Sequence, residues 1–222
     1  MPIVTPPESK HFAIAIDGPA ASGKSTVARL LAQRLGLVMV NSGAMYRAVT
    51  WKVLGEHIDP HDKAAVASLL QRIRIECGHD GIGSTITIDG IDPGDELRSE
   101  KVNANVSAIS AIPEVRAALI GLQRGYTQHS NVVMEGRDIG SVVFPDTPYK
   151  IYIDAAEEIR AARRKAAGEV DSIASRDAAD SSRQTAPLVV APGATRLDTS
   201  DLTIDGAVDA AIEILRHQGL KA

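Results

Sequence analysis

The chain contains one short stretch, residues 12–26, that few folds can accommodate. It reads FAIAIDGPAASGKST, and positions 18–25 match the pattern G-x-x-x-x-G-K-[ST] at every fixed position. An apolar run precedes the pattern, and apolar residues at three- and four-residue spacings follow it, as in an amphipathic helix. A strand, a glycine-rich loop and a helix in this order are typical of a phosphate-binding loop (P-loop), in which backbone N–H groups at a helix N-terminus bind phosphate.

The residue types in this loop indicate a nucleoside triphosphate bound with Mg²⁺. Gly18 and Gly23 allow the backbone to turn its N–H groups toward an anion. Lys24 supplies a full positive charge for the β- and γ-phosphates, and the Ser25 hydroxyl is a Mg²⁺ ligand. The residues of the loop predicted to bind ATP are Gly18, Pro19, Ala20, Ala21, Ser22, Gly23, Lys24, Ser25 and Thr26.

Composition excludes several other classes of protein. A net charge of −4 and an aromatic content of 3% argue against broad binding of nucleic acid. Cys77 is the single cysteine, which excludes an internal disulfide and a multi-cysteine zinc site. No apolar run approaches the roughly 20 residues of a membrane span. We therefore expect a monomeric cytoplasmic protein that binds neither nucleic acid nor a membrane, with residues 1–11 as a loose tail.

The rest of the chain predicts an alternating α/β pattern with one interruption. Besides the strand before the loop, short apolar runs predict core strands at residues 37–40, 131–134, 150–153 and 195–197. Period-two alternation at 73–75 and 85–88, followed by the turn pair Asp89-Gly90, predicts a small antiparallel patch. We interpret residues 73–97 as part of an insertion between the second and third core strands. Helices are predicted at 43–54, 62–70, 102–112, 113–129, 155–167 and 205–219.

Charged residues recur where such a fold would bring them near the loop. Arg47 lies early in the second helix and can point across the mouth of the P-loop, although a solvated surface arginine is an equally good interpretation from this segment alone. Arg137 and Asp138 follow the third core strand, at the sheet edge where doubly wound folds bind ligands. A surface pair in a turn is the alternative there.

The last cluster of charges falls at residues 155–183. The helix at 155–167 is rich in arginine, and residues 168–175 predict a loop. Arg176, Asp180 and Arg183 then follow at helical spacing and would share one face. Spacing alone favours a salt-bridged surface helix over a binding role for these three residues.

These segments together resemble the bacterial cytidylate kinase family, a branch of the P-loop nucleoside monophosphate kinases. The resemblance covers nearly everything from Phe12 to Leu215. GAMYR at 43–47 and GRDIG at 136–140 are far more specific than the P-loop alone. The segments that carry the resemblance are IDGPAASGKST at 16–26, SGAMYR at 42–47, GRDIG at 136–140 with VVFPD at 142–146, RDAAD at 176–180 through Arg183, and APL at 186–188.

The resemblance implies a fold and a reaction. The fold is α/β: a P-loop kinase with a five-stranded parallel core sheet flanked by helices. Its domain would span residues 12–222, with an insertion at about 60–130 that binds the acceptor nucleotide and a short lid at about 157–184. The reaction is transfer of the γ-phosphoryl group of ATP to CMP or dCMP with Mg²⁺, giving ADP and CDP or dCDP.

The resemblance also implies roles for single residues. Ser107, Arg116 and Asp138 would bind the cytosine, and Arg176 and Asp180 the sugar. Ser42, Arg47, Arg137 and Arg183 would bind the acceptor phosphate, and Arg160 and Arg164 the ATP. Ser25, and Glu135 through water, would hold Mg²⁺. The residues expected to act on the transferred group itself are Lys24, Arg47, Arg137 and Arg183.

This chain differs from the usual family pattern at four places. Asn41-Ser42 stands where Asp-Thr or Asp-Ser is usual, and Glu135 where Asp is common. Residues 164–176 form a shorter segment than usual, and Pro192-Gly193 replaces a more acidic one.

Two alternative functions stay open. One is a related P-loop kinase that acts on UMP, AMP or a non-nucleotide acceptor. The other is a nucleotide-dependent switch, which would leave the arginines on three separate segments unexplained.

Overall fold

The computed structural model describes residues 11–81, 83–166 and 188–221. Five of its strands form one parallel sheet, and two form a small antiparallel pair. The strands are β1 (Ala13–Asp17), β2 (Val38–Asn41), β3 (Ile75–His79), β4 (Ser84–Ile88), β5 (Val132–Gly136), β6 (Lys150–Asp154) and β7 (Thr195–Asp198). The parallel sheet has the order β2-β5-β1-β6-β7, and β3 pairs with β4. The predicted α/β fold with a five-stranded parallel core is confirmed.

Helices cover both faces of the parallel sheet and fill the segment between β2 and β5. They are α1 (Lys24–Leu35), α2 (Ser42–Gly55), α3 (Lys63–Leu70), α4 (Glu100–Ser110), α5 (Pro113–Gly125), α6 (Glu157–Ala166) and α7 (Ile204–His217). Short 3₁₀ helices occur at Gly94–Arg98 and Tyr126–Gln128, and a single π-helical turn at Ile139–Val143.

Helix ends follow the local sequence signals. Gly36 ends α1 in the left-handed conformation, with φ of 64°. The side chains of Asn41 and Asp62 accept hydrogen bonds from the N–H groups of Ala44 and Ala65, both at 3.0 Å. The last helix begins slightly earlier than predicted, because the hydroxyl of Thr203 caps it.

Three apolar cores hold these elements together, one on each face of the parallel sheet and one in the segment between β2 and β5. β1 is buried along its whole length, as expected for a central parallel strand, and Ile14 and Ile16 pack against Leu31 of α1 and Leu215 of α7. The intervening segment, residues 42–131 between β2 and β5, has a core of its own. That core contains Val49, Val66, Ile88, Ile109 and Leu119. The assignment of this segment as an acceptor-binding subdomain stays a prediction.

The turn pair Asp89-Gly90 lies at the end of β4 and reverses the chain, as predicted. Both residues have positive φ, 53° and 78°, and Ile88 and Ile91 exchange two backbone hydrogen bonds of 3.0 Å across them. The same Asp89 carboxylate accepts the N–H of Arg74 at 2.8 Å. This turn therefore joins the end of β4 to the residues just before β3.

Within the described residues, no single helix is both long and apolar enough to cross a membrane. The bent pair Glu100–Ser110 and Pro113–Gln128, which meets at 97°, passes that test by length and composition when its two helices are taken together.

Candidate active site

The P-loop joins β1 to α1 and packs tightly against the backbone of β6. A Cβ on Gly18 would lie 2.0 Å from the carbonyl oxygen of Ile153, so only glycine fits there. Gly23 precedes α1 with φ of 90°, and Ala21 has φ of 58°, a conformation that costs an L-residue about 1 kcal/mol or more. The Nζ of Lys24 donates to the carbonyl oxygen of Pro19 at 3.0 Å, which holds this ammonium group inside the curve of the loop.

Two hydroxyl groups converge on Glu135 at the carboxyl end of β5. The Oγ of Ser25 donates to Glu135 Oε1 at 2.9 Å, and the Oγ of Ser42 donates to the Glu135 backbone oxygen at 2.8 Å. Glu135 is buried, with 4% of its surface exposed. A hydroxyl and a carboxylate beside the P-loop are the hard oxygen donors that Mg²⁺ prefers, together with phosphate oxygens and water.

Asp138 and Arg116 form a buried ion pair. Arg116 lies on α5, and its Nη2 donates to Asp138 Oδ2, while its Nη1 donates to the Ser110 backbone oxygen at 3.3 Å. Its guanidinium also lies 5.6 Å from the centre of the Tyr46 ring. Both charged residues are almost fully buried, so this pair presents a fixed arrangement of donors beside a carboxylate.

Asp17 is a site residue that sequence reasoning missed. It ends β1, and its two carboxylate oxygens accept the N–H groups of Ile139 at 2.7 Å and Gly140 at 2.8 Å. The pKa of Asp17 is raised to about 6, chiefly by burial and to a smaller extent by the Asp138 charge, against the two hydrogen bonds and the Lys24 charge, which lower it. Asp17 thus fixes the backbone directly after Asp138. An acid ending the apolar run of β1 was the available signal.

A cavity of about 240 Å³ brings most of the predicted residues together. It lies between the P-loop, the carboxyl end of β5 and the helices α2, α4 and α5. The predicted site residues that line it are Ala20, Ala21, Lys24, Ser25, Ser42, Arg47, Ser107, Arg116, Glu135, Arg137, Asp138 and Arg164.

A second cavity of about 460 Å³ adjoins the first across the P-loop. The two share the residues Ala21, Lys24, Ser25 and Arg164. The far wall of the second cavity is partly apolar and comes from α6, the loop after β7 and the start of α7. Its other residues are Gly23, Thr26, Val27, Arg163, Thr199, Leu202, Thr203, Ile204 and Ala207.

The arginines of α6 do not all face these cavities. Arg164 lines both, whereas Arg160 lines neither and donates instead to the backbone oxygens of Ala155 at 3.0 Å and Ala20 at 3.3 Å. Arg163, which had no predicted role, lines the second cavity and donates to the backbone oxygen of Thr199 at 2.8 Å. Arg160 thus supports the P-loop backbone, and its predicted contact with ATP stays a prediction.

Arg47 reaches the smaller cavity from α2, as its position in the sequence suggested. Its Nη1 donates to the backbone oxygen of Leu97 at 3.2 Å and to Oδ1 of Asn103 on α4. The predicted site residues Arg176, Asp180 and Arg183 lie outside the described residues.

Among the described residues, no three His, Cys, Asp or Glu side chains cluster as a metal site would require. Mg²⁺ bound mainly by triphosphate oxygens and water needs no such cluster.

Comparison with known proteins identifies the family. The model of the cytidylate kinase family matches residues 14–217. Proteins named cytidylate kinase from Streptomyces avermitilis and Limosilactobacillus reuteri are each 40% identical to this chain, over 92% and 93% of it and 93% and 96% of their own lengths. A further cytidylate kinase, from Mycobacterium avium, is 42% identical over 95% of this chain and 97% of its own.

One solved structure supports the fold independently of sequence. TT1252 from Thermus thermophilus is similar with a TM-score of 0.50 and 17% identity, covering 96% of this chain and 100% of its own. At that identity the likeness concerns the fold alone. The match of the family model over most of the chain, with relatives at about 40% identity, shows that this chain belongs to the cytidylate kinase family.

Proposed function

We propose that this protein transfers the γ-phosphoryl group of ATP to CMP or dCMP, forming ADP and CDP or dCDP. The observation that carries the proposal is the pair of adjoining cavities that meet at Lys24, Ser25 and Arg164. Phosphoryl transfer requires two phosphate groups held in line and their charge neutralised, with little covalent chemistry from the protein. Cations at the junction of two binding spaces satisfy that requirement.

The larger cavity would hold the donor. The backbone N–H groups at the start of α1 and the Lys24 ammonium would bind the triphosphate. The apolar side chains of Leu202 and Ile204, which are 40% and 59% exposed, would cover a purine ring. Arg163 and Arg164 line the same cavity, and their charges would face the phosphates.

The smaller cavity would hold the acceptor. Arg47 and Arg137 are permanently charged and would bind its phosphate, with the Ser42 hydroxyl beside them. A monophosphate dianion is already a nucleophile, so the transfer needs no general base. Arg183 and the sugar-binding pair Arg176 and Asp180 belong to the same proposal.

The buried pair of Asp138 and Arg116 would select the base. The 4-amino group of cytosine can donate to the Asp138 carboxylate, and the ring nitrogen and carbonyl can accept from Arg116. Uracil carries a carbonyl where cytosine carries the amino group, so its oxygen would face the carboxylate. That mismatch costs on the order of 1–3 kcal/mol.

Ser25 and Glu135 fit a Mg²⁺ ion, the hydroxyl as a direct ligand and the carboxylate through water. These two residues would hold the ion beside the P-loop, where it would supply positive charge against the phosphates of ATP. The hydrogen bond from Ser25 to Glu135 already holds the hydroxyl and the carboxylate next to each other.

An assay of ADP release tests the proposal. The purified protein is supplied with ATP and Mg²⁺ and, in separate reactions, with CMP, dCMP, UMP, AMP or no acceptor. We expect ADP release that depends on the acceptor and is fastest with CMP or dCMP. Preference for UMP or AMP would assign a different acceptor, and equal release without acceptor would indicate a hydrolytic switch. We further propose a cytoplasmic monomer, and the monomer is tested by the mass of the protein in solution.

A further inference from the structure

We propose that Asn103 is a positioning residue that orients the guanidinium of Arg47 toward the acceptor's phosphate. This inference rests on the proposed function, because it takes Arg47 as a ligand of that phosphate. Nothing in the cytidylate kinase sequence motifs pointed to Asn103, whose contact with Arg47 joins residues 56 positions apart.

The contact places a neutral oxygen against a charged donor at the rim of the smaller cavity. Arg47 Nη1 donates both to Asn103 Oδ1 and to the Leu97 backbone oxygen, the latter at 3.2 Å. Arg47 lies on α2, Leu97 in the 3₁₀ helix at Gly94–Arg98 and Asn103 on α4, all within the intervening segment. The guanidinium of Arg47 therefore links α2 to the 3₁₀ helix and to α4.

The amide of Asn103 can take only one orientation here. Its Nδ2 donates to the backbone oxygen of Arg98 at 2.8 Å. An arginine can only donate and a carbonyl oxygen can only accept, so turning the amide over would break both contacts. The oxygen of Asn103 is thus fixed toward Arg47 by the chain five residues earlier.

A neutral amide suits this task better than a carboxylate. An amide oxygen orients the guanidinium and leaves its net charge available for a phosphate. A carboxylate at the same place would neutralise that charge and compete with the phosphate for the same N–H groups. An alanine at position 103 would let the long Arg47 side chain adopt more rotamers. That rotamer freedom would be lost again when phosphate binds.

Asn103 also connects the phosphate end of the cavity to its base end. Ser107 lies four residues later on α4, one turn along the same helix face, and lines the same cavity. A displacement of α4 would therefore move both the hydroxyl at the base and the amide that orients Arg47. A test of Asn103 must therefore distinguish a local effect on Arg47 from a displacement of the whole helix.

Steady-state kinetics of three variants test the inference. Asn103→Ala should raise KM for CMP about tenfold, and Asn103→Asp more, because one contact to a charged group is lost or becomes competitive. KM for ATP should change less than twofold in both. Asn105→Ala is the matched control: Asn105 lies on the same helix, is half-buried like Asn103, and donates only to the Lys101 backbone oxygen at 2.9 Å among its described contacts.

A double-mutant cycle and an inhibitor lacking phosphate separate positioning from general damage to α4. In an Arg47→Ala background, Asn103→Asp should have no further effect on KM for CMP. Cytidine, as a competitive inhibitor without the phosphate, should bind wild type and Asn103→Asp equally. A parallel loss of cytidine binding would show that the substitution displaces α4, and would overturn the inference.

The remaining outcomes distinguish this inference from the proposed function. The wild-type protein could be active with CMP while both Asn103 variants keep a KM for CMP within twofold of the wild-type value. That result would overturn the inference and leave the proposed function intact. Wild-type protein that releases no ADP with CMP would overturn the proposed function and this inference with it. Thermal melts of each variant confirm that the compared proteins are folded.

Discussion

The two ends of the smaller cavity are built by different means. At the P-loop end the backbone sets the geometry: Gly18 leaves no space for a side chain, and Lys24 is held by the Pro19 carbonyl. At the other end, side chains from separate helices and loops hold one another, as Arg116 and Asp138 do. The backbone-built end suits a group that every nucleotide carries, the phosphate. The side-chain-built end can change by single substitutions and is therefore where we expect selectivity to be set.

The sharpest way to break this comparison is to remove the charge at the P-loop end. Lys24→Ala should lower kcat about 10³-fold or more, because a charge aimed at the transferred group is lost. The ratio of CMP to UMP activity should stay unchanged, since the selective end is untouched. Steady-state kinetics with both acceptors measure this, and the exposed Lys63→Ala is the control. Near-normal kcat in a folded Lys24→Ala protein would contradict the assignment of the loop.

A substitution at the other end should show the opposite pattern. Asp138→Ala should narrow the preference for CMP over UMP by about 5- to 150-fold, the equivalent of 1–3 kcal/mol, and leave KM for ATP unchanged. It also leaves Arg116 buried without this partner, which costs stability on the order of 3–5 kcal/mol. Asp138→Asn, which keeps the volume, serves if the alanine variant does not fold. An unchanged CMP to UMP ratio in both would show that Asp138 does not bind the base.

Asp17 connects the two ends of the smaller cavity. The raised pKa of its carboxyl group can be tested through the pH dependence of the free energy of unfolding. Because its pKa of about 6 in the folded protein exceeds the ordinary value of 3.8, the proton is bound more tightly when the chain is folded. Its stabilising contribution is therefore complete below about pH 4 and is lost as pH rises through about 6. Relative to Asp17→Asn, the wild type should lose on the order of 2 kcal/mol between pH 4 and 7.

Urea unfolding at several pH values measures this difference. The exposed Asp146→Asn is the control for the loss of a carboxylate at the surface. A constant difference between wild type and Asp17→Asn would mean that the folded protein does not raise the pKa of Asp17.

The smallest expected effect distinguishes two arginines on one helix. Arg163→Ala should raise KM for ATP about three- to tenfold and leave KM for CMP unchanged. The reason is that Arg163 lines only the larger cavity, which is proposed to hold ATP. Arg160→Ala should lower the melting temperature more than it changes either KM, since Arg160 is buried against the P-loop backbone. If Arg160→Ala raises KM for ATP more than Arg163→Ala does, the result would support the predicted contact between Arg160 and ATP.

Local signals predicted most of the fold correctly. The apolar runs located all five core strands within one or two residues, and Gly36, Asn41 and Asp62 marked helix ends through their own backbone and side-chain preferences. The family resemblance is confirmed as well. These features depend on neighbouring residues, or on motifs whose spacing is short, and so they can be read from the sequence.

The missed features depend on contacts between distant parts of the chain. The face of α6 that lines the larger cavity is set by packing against Thr199. The hydroxyl of Thr199 in turn donates to the backbone oxygen of Ser22, 177 positions away, at 2.9 Å. Helical periodicity alone cannot distinguish Arg160 from Arg163 or Arg164. Asp17 was missed for a similar reason, because its partners, the N–H groups of Ile139 and Gly140, follow another strand.

The order of strands in the sheet has a consequence for how the chain is synthesised. β1 is made first but lies in the centre of the sheet, and its nearest partner is distant: Phe12 N–H bonds to the side-chain oxygen of Asn131, 119 residues later, at 2.9 Å. At a translation rate of 5–20 residues per second, the P-loop strand waits about 6–24 s on the ribosome for β5. The intervening segment, whose core needs few distant residues, is complete before that sheet can close. We therefore expect the core of the intervening segment to become ordered before the P-loop.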